Sequence, residues 1–315
     1  MSGRETPPPE AAPASTPASP PDPEPKGEGS GGKNKAAVAA DRTSGRDGTV
    51  LLTNDHNGVR TLTLNRPHRR NAIDAELWQA LADAFRAVAG DRTVRALVIQ
   101  GAGKAFCSGA DISVPDNAHP IYRMRALTDV AVLLHELPLP TIAKVTGPAI
   151  GAGWNLALGC DLVVAAESAT FAQVFTKRGL TMDLGGSWLL PRLAGMQQAK
   201  RLTLLAETIT ATEARELDLA TWVVPDDEID PFTDDLARRL ADGPPVALAQ
   251  TKALLHGGAD TTLRQALGAE AGAQGLNFAT ADAPEAFAAF AERREPRFTG
   301  RWSIHRPPIR PENGS

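Results

Sequence analysis

Residues 145–166 have the sequence VTGPAIGAGWNLALGCDLVVAA, and this stretch decides the fold of the chain. An apolar run leads into a glycine-rich turn over 147–153, then into a helix that starts near Trp154, then into a second apolar run. The first backbone N–H groups of such a helix have no partner within it, and the helix dipole adds positive charge there. Glycines let the backbone approach a ligand closely. The turn therefore predicts a binding site for a negatively charged oxygen.

The same order of elements recurs along the chain, which is typical of an α/β fold. Apolar runs predict strands at 50–52 and 59–64, joined by turn formers at 54–58, and further strands at 94–99, 141–146, 161–166, 170–172 and 222–224. Apolar positions at helical spacing predict helices at 73–88, 121–136, 197–206 and 212–217. Beyond residue 230 the pattern is helical throughout, over 230–241, 245–256, 261–278 and 284–294. We therefore divide the folded chain into a core over 47–229 and a C-terminal helical region over 230–301.

Both ends of the chain differ in composition from this folded part. Residues 1–46 are rich in Pro, Ala and Ser and contain almost no large apolar side chain. Such a segment buries too little surface to offset its chain entropy, so it is predicted to be a disordered tail. The Pro-rich polar segment 302–315 is predicted to be a flexible tail.

The bulk properties limit what the chain can do. Its 315 residues are 42% hydrophobic, which is enough for a sizeable core, and the net charge of -4 argues against nucleic acid as a partner. Cys107 and Cys160 lack a metal-ligand spacing, so no metal site is predicted, and a reducing cytoplasm is the expected location. The N-terminus lacks an apolar signal core, and Asn155 and Asp161 interrupt the longest apolar stretch. Export and membrane spanning are therefore not expected.

Four motifs, in order, carry a resemblance to a known family. They are Asn65-Arg66-Pro67 with Asn71-Ala72, the loop Ala105-Phe106-Cys107-Ser108-Gly109-Ala110-Asp111, the turn Gly147 to Gly153, and Leu189-Leu190-Pro191-Arg192-Leu193. The chain thereby resembles the crotonase (enoyl-CoA hydratase/isomerase) superfamily over about residues 48–301. Residues 175–195 (FTKRGLTMDLGGSWLLPRLAG) are most similar to the ring-1,2-epoxyphenylacetyl-CoA isomerase type, with Met182 where a proline is usual.

The resemblance implies a fold, a substrate class and an assembly. The fold is the ClpP/crotonase spiral of repeated ββα units with a helical C-terminal region. The substrates are acyl-CoA thioesters, no cofactor is needed besides the CoA of the substrate, and the assembly is a homotrimer or a dimer of trimers. Lipid or aromatic acid metabolism fits these substrates, and isomerase and lyase chemistry both occur on this fold.

The resemblance also assigns roles to individual residues. The backbone N–H groups of Ala110 and Ala152 would form an oxyanion hole for the thioester carbonyl, whose oxygen gains negative charge during the reaction. The remaining substrate-binding candidates are Ser108, Gly109, Asp111, Ile112, Gly151, Trp154, Asn155 and Phe175. Basic candidates for the CoA phosphates are Arg69, Arg70, Arg293 and Arg294.

The sequence departs from the hydratase pattern at the two positions where hydratases carry glutamates. Asn155 and Phe175 stand there, and neither side chain exchanges protons at neutral pH. Ordinary hydratase chemistry is therefore not expected.

One carboxylate, Asp183, falls where several isomerases of the superfamily place a catalytic aspartate. Its apolar neighbours Leu180, Met182 and Leu184 should raise its proton affinity, which suits a group that removes a proton from one carbon and returns it to another. The alternative is that Asp183 caps a helix that starts near Gly185 or Gly186.

Three functions follow, in order of preference. The first is an acyl-CoA isomerase that uses the oxyanion hole and Asp183. The second is a hydratase, hydrolase or lyase of the same superfamily that uses a different residue. The third is an acyl-CoA-binding protein without catalysis. A dinucleotide site is not favoured, because Leu156 stands where its fingerprint requires a glycine.

Overall fold

The computed structural model describes residues 50–113 and 119–303. The tail predicted over 1–46 lies outside these ranges. So does the tail predicted over 302–315, except for its first two residues. Trp302 forms a backbone bridge with Thr280, and the Ser303 N–H donates to the Ala279 carbonyl, so these two residues are paired with the preceding chain.

The described residues form the following strands and helices. The strands are β1 Leu51–His56, β2 Val59–Leu64, β3 Ala96–Gly101, β4 Thr141–Val145, β5 Pro148–Ile150, β6 Leu162–Ala166, β7 Thr170–Ala172, β8 Thr208–Thr210 and β9 Trp222–Val224. The helices are α1 Ala75–Gly90, α2 Pro120–His135, α3 Ala152–Leu158, α4 Gly186–Leu193, α5 Gly195–Leu204, α6 Ala211–Glu216, α7 Ile229–Ala241, α8 Pro245–Gly258, α9 Leu263–Phe278 and α10 Asp282–Glu292.

The strands form two sheets. The larger has the order β1-β2-β3-β4-β6-β9, antiparallel between β1 and β2 and parallel elsewhere. The smaller has the order β5-β7-β8, in which β5 and β7 are parallel. Between β4 and β7 consecutive strands of the chain alternate between the sheets, and β8 then adds an antiparallel strand to the small sheet before the chain returns to the large one at β9.

Side chains of the central strands alternate between two apolar layers, as the period of a strand requires. Leu97 and Ile99 of β3 face the main core, whereas Val98 faces a second cluster formed with Leu236 and Ala237 of α7. Both faces of the large sheet are therefore covered, which explains why the central strands appear in the sequence as continuous apolar runs.

Three local predictions were wrong in detail. β1 continues to His56, so the hairpin turn is only Asn57-Gly58, where both residues have positive φ angles of 48° and 80°. The glycine-rich turn contains strand β5, and α3 begins at Ala152, two residues before the predicted start. Strand β8 was not predicted, because a three-residue strand gives almost no periodic signal.

The C-terminal region is helical, as predicted. Within the described residues, no helix is long and apolar enough to cross a membrane. Helices α8 to α10 expose several large apolar side chains, namely Leu255, Leu263, Leu267, Leu276, Phe287 and Phe290.

Candidate active site

The loop over residues 105–111 lies between two other segments and is hydrogen-bonded to both. On one side, the Cys107 N–H donates to the Pro148 carbonyl (3.2 Å), and the Ile150 N–H donates to the Cys107 carbonyl (2.9 Å). On the other side, the Ile73 N–H donates to the Gly109 carbonyl (2.8 Å), and the Asp111 N–H donates to the Ile73 carbonyl (2.9 Å). These bonds fix the loop relative to β5 and to the start of α3.

Two backbone N–H groups at this junction are unused. Ile73 bonds the residues on either side of Ala110, so in this parallel bridge the Ala110 N–H points away from Ile73. Ala152 is the first residue of α3, where a backbone N–H has no partner within the helix. Among the described residues, neither N–H donates a hydrogen bond. The structure therefore brings together two free donors from the two predicted loops.

Two glycines allow the loops to approach this closely. A Cβ at Gly109 would lie 2.9 Å from the Ile150 carbonyl oxygen and 3.7 Å from the Ala152 nitrogen, and the φ of Gly109 is 93°. A Cβ at Gly153 would lie 2.8 Å from Cys107 Sγ. Side chains at these positions would separate the two donors.

Cys107 is buried in this contact. Its thiol donates to the Asn71 carbonyl at 3.1 Å, and burial raises the pKa of the thiol to about 12. A thiol that stays protonated at neutral pH is a poor nucleophile, so Cys107 has a packing role.

Arg66 fixes the end of the loop, a role that the sequence did not indicate. Its guanidinium contacts the carboxylates of Asp74 and Asp111, each at 2.9 Å. Hydrogen bonds from Ser113, with the help of Arg66, lower the pKa of Asp111 to about 2. The Asp111 carboxylate is therefore already occupied in holding the loop.

Asp183 precedes α4 and carries an incompletely paired carboxylate. Its Oδ1 is buried and has no hydrogen-bond partner in the described part of the chain. Burial raises the pKa of this carboxyl to about 6. The neighbouring Leu184 is buried, but Leu180 is 53% exposed, so Leu180 does not contribute the predicted apolar cover.

The structure does not support the capping alternative for Asp183. Helix α4 begins at Gly186 with Gly185 as its N-cap, and no side chain accepts a hydrogen bond there. The carboxylate of Asp183 is therefore not used by the helix that follows it.

Asn155 connects Asp183 to the helix that carries Ala152. Its Nδ2 donates to the Asp183 backbone carbonyl at 2.9 Å, and its Oδ1 accepts from Gln173 Nε2 at 2.7 Å. Asn155 and Gln173 are both 1% exposed. Gln173 was not among the predicted site residues, because a glutamine outside any motif carries no signal in the sequence. Through this pair, the backbone of Asp183 is fixed to the same short helix as the Ala152 donor.

Replacement of Asn155 by Leu is expected to lower the free energy of unfolding by about 2 kcal/mol, because it leaves the buried Gln173 amide unpaired and removes one of the two donors to the Asp183 carbonyl. The other donor to this carbonyl is the Gly186 N–H. Urea unfolding of the purified variant measures this change. Asn155→Asp is the matched control, since it keeps an acceptor for Gln173. An Asn155→Leu variant as stable as the wild type would contradict a positioning role for Asn155.

A cavity of about 210 Å³ lies next to the segment that follows Asp183, although Asp183 itself is not on its wall. It lies between α2, α3 and α4, and its wall includes Asn155, Leu184 and Gly185. Trp154 is not on this wall: it is fully buried, and its ring lies 5.4 Å from that of Phe171. Phe175 instead covers Gly151, where an added Cβ would lie 3.5 Å from the Phe175 ring. The two aromatic substrate-binding candidates thus lie in the core and over the turn.

Similarity to known proteins identifies the family of this chain. The enoyl-CoA hydratase/isomerase family profile matches residues 54–301. The chain belongs to the enoyl-CoA hydratase/isomerase family. The predicted crotonase-like fold is confirmed by a putative enoyl-CoA hydratase from Streptomyces coelicolor, with a TM-score of 0.77 and 38% identity, over 84% of this chain and 99% of that chain.

Curated relatives in this family have different names. The 1,2-epoxyphenylacetyl-CoA isomerase of Escherichia coli is 38% identical over 80% of this chain and 98% of its own length. A probable enoyl-CoA hydratase of Rhodobacter capsulatus is 40% identical over 78% of this chain and 95% of its own length. The predicted resemblance to the isomerase type is therefore confirmed, but the names do not distinguish isomerase from hydratase.

Most of the other predicted site residues lie around the loop over 105–111. Ser108 Oγ donates to the Arg69 carbonyl (3.2 Å), and the Ser108 N–H donates to the Arg70 carbonyl (3.0 Å). The exposed side chains of Arg69 and Arg70 therefore lie beside this loop, as does Ile112, which is 67% exposed. These basic and apolar side chains form an exposed rim beside the loop.

Arg293 and Arg294, the C-terminal candidates for the CoA phosphates, lie at the end of α10 and not in the segment beside this loop. Arg294 is already paired with Glu285 and Glu292, each at 2.6 Å. Those carboxylates raise the pKa of Arg294 and would compete with a phosphate. Arg293 is exposed at the end of α10, and the structure does not connect it with the loop.

Proposed function

We propose that this enzyme is an acyl-CoA isomerase that moves a double bond by enolate chemistry. The observation that carries the proposal is the Asp183 carboxyl, which has an unpaired buried oxygen and a pKa raised to about 6, and which directly precedes the cavity-lining residue Leu184. A general base works best when its pKa is close to the operating pH. The 1,2-epoxyphenylacetyl-CoA isomerase among the relatives supports the same choice.

The chemistry requires one base and one anion site. In this mechanism the N–H groups of Ala110 and Ala152 hold the thioester oxygen, which lowers the cost of removing a proton beside the carbonyl. Asp183 accepts that proton, and the negative charge spreads over a dienolate. Asp183 then returns the proton to a different carbon, which leaves the double bond conjugated with the thioester. No water takes part, in agreement with the absence of a carboxylate at Asn155 and Phe175.

A direct assay tests this proposal. Purified protein is incubated with a 3-enoyl-CoA, and the conjugated 2-enoyl thioester is followed by its ultraviolet absorbance. The proposal predicts formation of the conjugated product. Conversion of a 2-enoyl-CoA to its 3-hydroxy product, with no double-bond shift, would instead favour the hydratase alternative. Binding of thioesters without turnover of either substrate would favour a non-catalytic protein.

One observation favours the hydratase alternative. The exposed carboxylate Glu136, at the end of α2, also lines the cavity. A hydratase that uses Glu136 would lose its activity on Glu136→Gln substitution and keep it on Asp183→Asn substitution. The proposed isomerase shows the opposite pattern.

We also infer that the enzyme assembles as a homotrimer or a dimer of trimers. Leu263, Phe287 and Phe290 of α9 and α10 are 76%, 68% and 87% exposed, and burial against another subunit would remove these large apolar side chains from water. Sedimentation velocity at micromolar concentration measures the mass directly. A single monomeric species would contradict the inference.

A further inference from the structure

The cavity between α2, α3 and α4 is large enough for a ring. Its volume is about 210 Å³, and an apolar cavity of about 150 Å³ already binds benzene. Apolar side chains cover most of its wall, among them Leu134 of α2, Leu156 of α3 and Leu189 of α4. A flat six-membered acyl group would therefore fit between the three helices.

Four side chains on this wall carry polar groups. Asn155 is already bonded on both sides, and Glu136 is exposed to solvent. Trp188 and His135 are both half-buried, but the indole of Trp188 can only donate a hydrogen bond. His135, the last residue of α2, has no hydrogen-bond partner on its ring nitrogens among the described residues. His135 is thus the partly sheltered group on the wall that can both donate and accept a hydrogen bond.

Aromatic contacts fix the orientation of the His135 ring. It stacks on His256 with ring centres 3.9 Å apart and planes 8° apart. Its other neighbour is Trp188, whose ring lies edge-on at 5.3 Å and 81°. Trp188 is in turn covered by the guanidinium of Arg192, 4.0 Å from its centre. A ring held on two sides keeps its nitrogens in fixed directions, which favours a specific contact over a solvated one.

An ionic cluster of Asp161 and Lys252 lies on the His256 side of the stacked histidine rings. Asp161 accepts from Lys252 Nζ (2.9 Å) and from the Thr141 N–H (2.7 Å), and its Oδ1 lies 3.8 Å from His256 Nε2. Burial and the Lys252 ammonium lower the pKa of His135, against the opposite effect of Asp161 and Glu136. At neutral pH the His135 imidazole is therefore uncharged, with one donor and one acceptor nitrogen.

From this geometry we propose that His135 determines acyl specificity by hydrogen-bonding an oxygen on the distal part of a ring-sized acyl group. The inference rests on the proposed function only in assigning the cavity to the acyl group of a CoA thioester. The partly sheltered position of the imidazole gives the contact its value, since a site built for a polar group rejects the analogue that lacks it.

Direct binding measurements test this inference without requiring turnover. Dissociation constants are measured by calorimetry for phenylacetyl-CoA and for its ring-hydroxylated analogues at the 2-, 3- and 4-positions. The wild type is expected to bind at least one hydroxylated thioester about tenfold more tightly than phenylacetyl-CoA. His135→Phe, which keeps an aromatic ring against His256, should abolish this preference and leave the affinity for phenylacetyl-CoA within about twofold. His256→Phe is the matched control and should retain the preference.

The outcomes separate this inference from the proposed function. Thioester binding without any preference for a hydroxyl group, or a preference that survives in His135→Phe, would overturn the inference alone. A preference that depends on His135, in a protein without isomerase activity, would support the inference and contradict the proposed reaction. Failure to bind any of the four thioesters would overturn this inference, while the 3-enoyl-CoA assay decides the proposed reaction separately.

Discussion

Asp183→Asn is expected to lower kcat for the double-bond shift by about 10³-fold, because the amide keeps the shape of the carboxyl group but cannot accept the proton. The value of kcat is measured by the absorbance assay, with the 3-enoyl-CoA substrate at concentrations that saturate both the wild type and the variant. KM should change little, since the carboxyl group is not expected to hold the CoA moiety. Retention of full activity in this variant would rule out Asp183 as the acid and base.

Two further measurements test whether the loss of kcat comes from the missing carboxylate and not from a less stable protein. Burial raises the pKa of Asp183 from an ordinary 3.8 to about 6, so the folded state loses stability as the pH rises from about 4 to 6 and carries the full penalty above pH 6. The neutral Asn side chain removes this cost, so Asp183→Asn should be at least as stable as the wild type at pH 8. In the wild type, kcat/KM should fall about tenfold per pH unit below pH 6, because only the ionised carboxylate accepts a proton. A flat profile between pH 5 and 7 would contradict this assignment.

The sequence predicted the fold and the two loops because each depends on local patterns. The apolar runs of β3, β4 and β6 and the spacing of apolar residues in α1 are readable residue by residue. The loop over 105–111 and the turn over 147–153 would act through backbone N–H groups, and the glycine patterns that shape them are visible in the sequence. Short strands such as β5 and β8 were missed, since their pairing depends on distant partners.

The interactions that hold the site together were not predictable in the same way. Gln173 is bonded to a residue 18 positions earlier in the chain, and Arg66 to one 45 positions later. His135 and His256 come from different regions of the sequence and meet only because α8 packs beside the end of α2. Such contacts depend on tertiary packing, for which a single sequence gives no periodic or motif signal. Tertiary packing also decides the position of Trp154, a substrate-binding candidate whose ring lies in the core.

The second prediction with a large effect concerns a backbone group, which no ordinary side-chain substitution removes. Ala152→Pro deletes the N–H at the first position of α3, where proline is well accommodated in a helix. The preceding Gly151 has a ψ of -123°, so it already avoids the helical conformation that a following proline disfavours. The fold should therefore be retained, and kcat should fall by about 10²- to 10³-fold, as expected for loss of one oxyanion donor.

Ala152→Ser is the matched control, because it alters the side chain and keeps the N–H; it should retain activity within about threefold. The proline ring also occupies space near the former donor, so the affinity for phenylacetyl-CoA must be measured for the Pro variant. If that affinity stays within about tenfold while kcat is lost, the missing interaction belongs to the transition state, since uniform binding would change both together. If Ala152→Pro retained kcat, negative charge on the thioester oxygen would have to be stabilised elsewhere. The free N–H groups where the two loops meet would then be a feature of the fold without a part in the reaction.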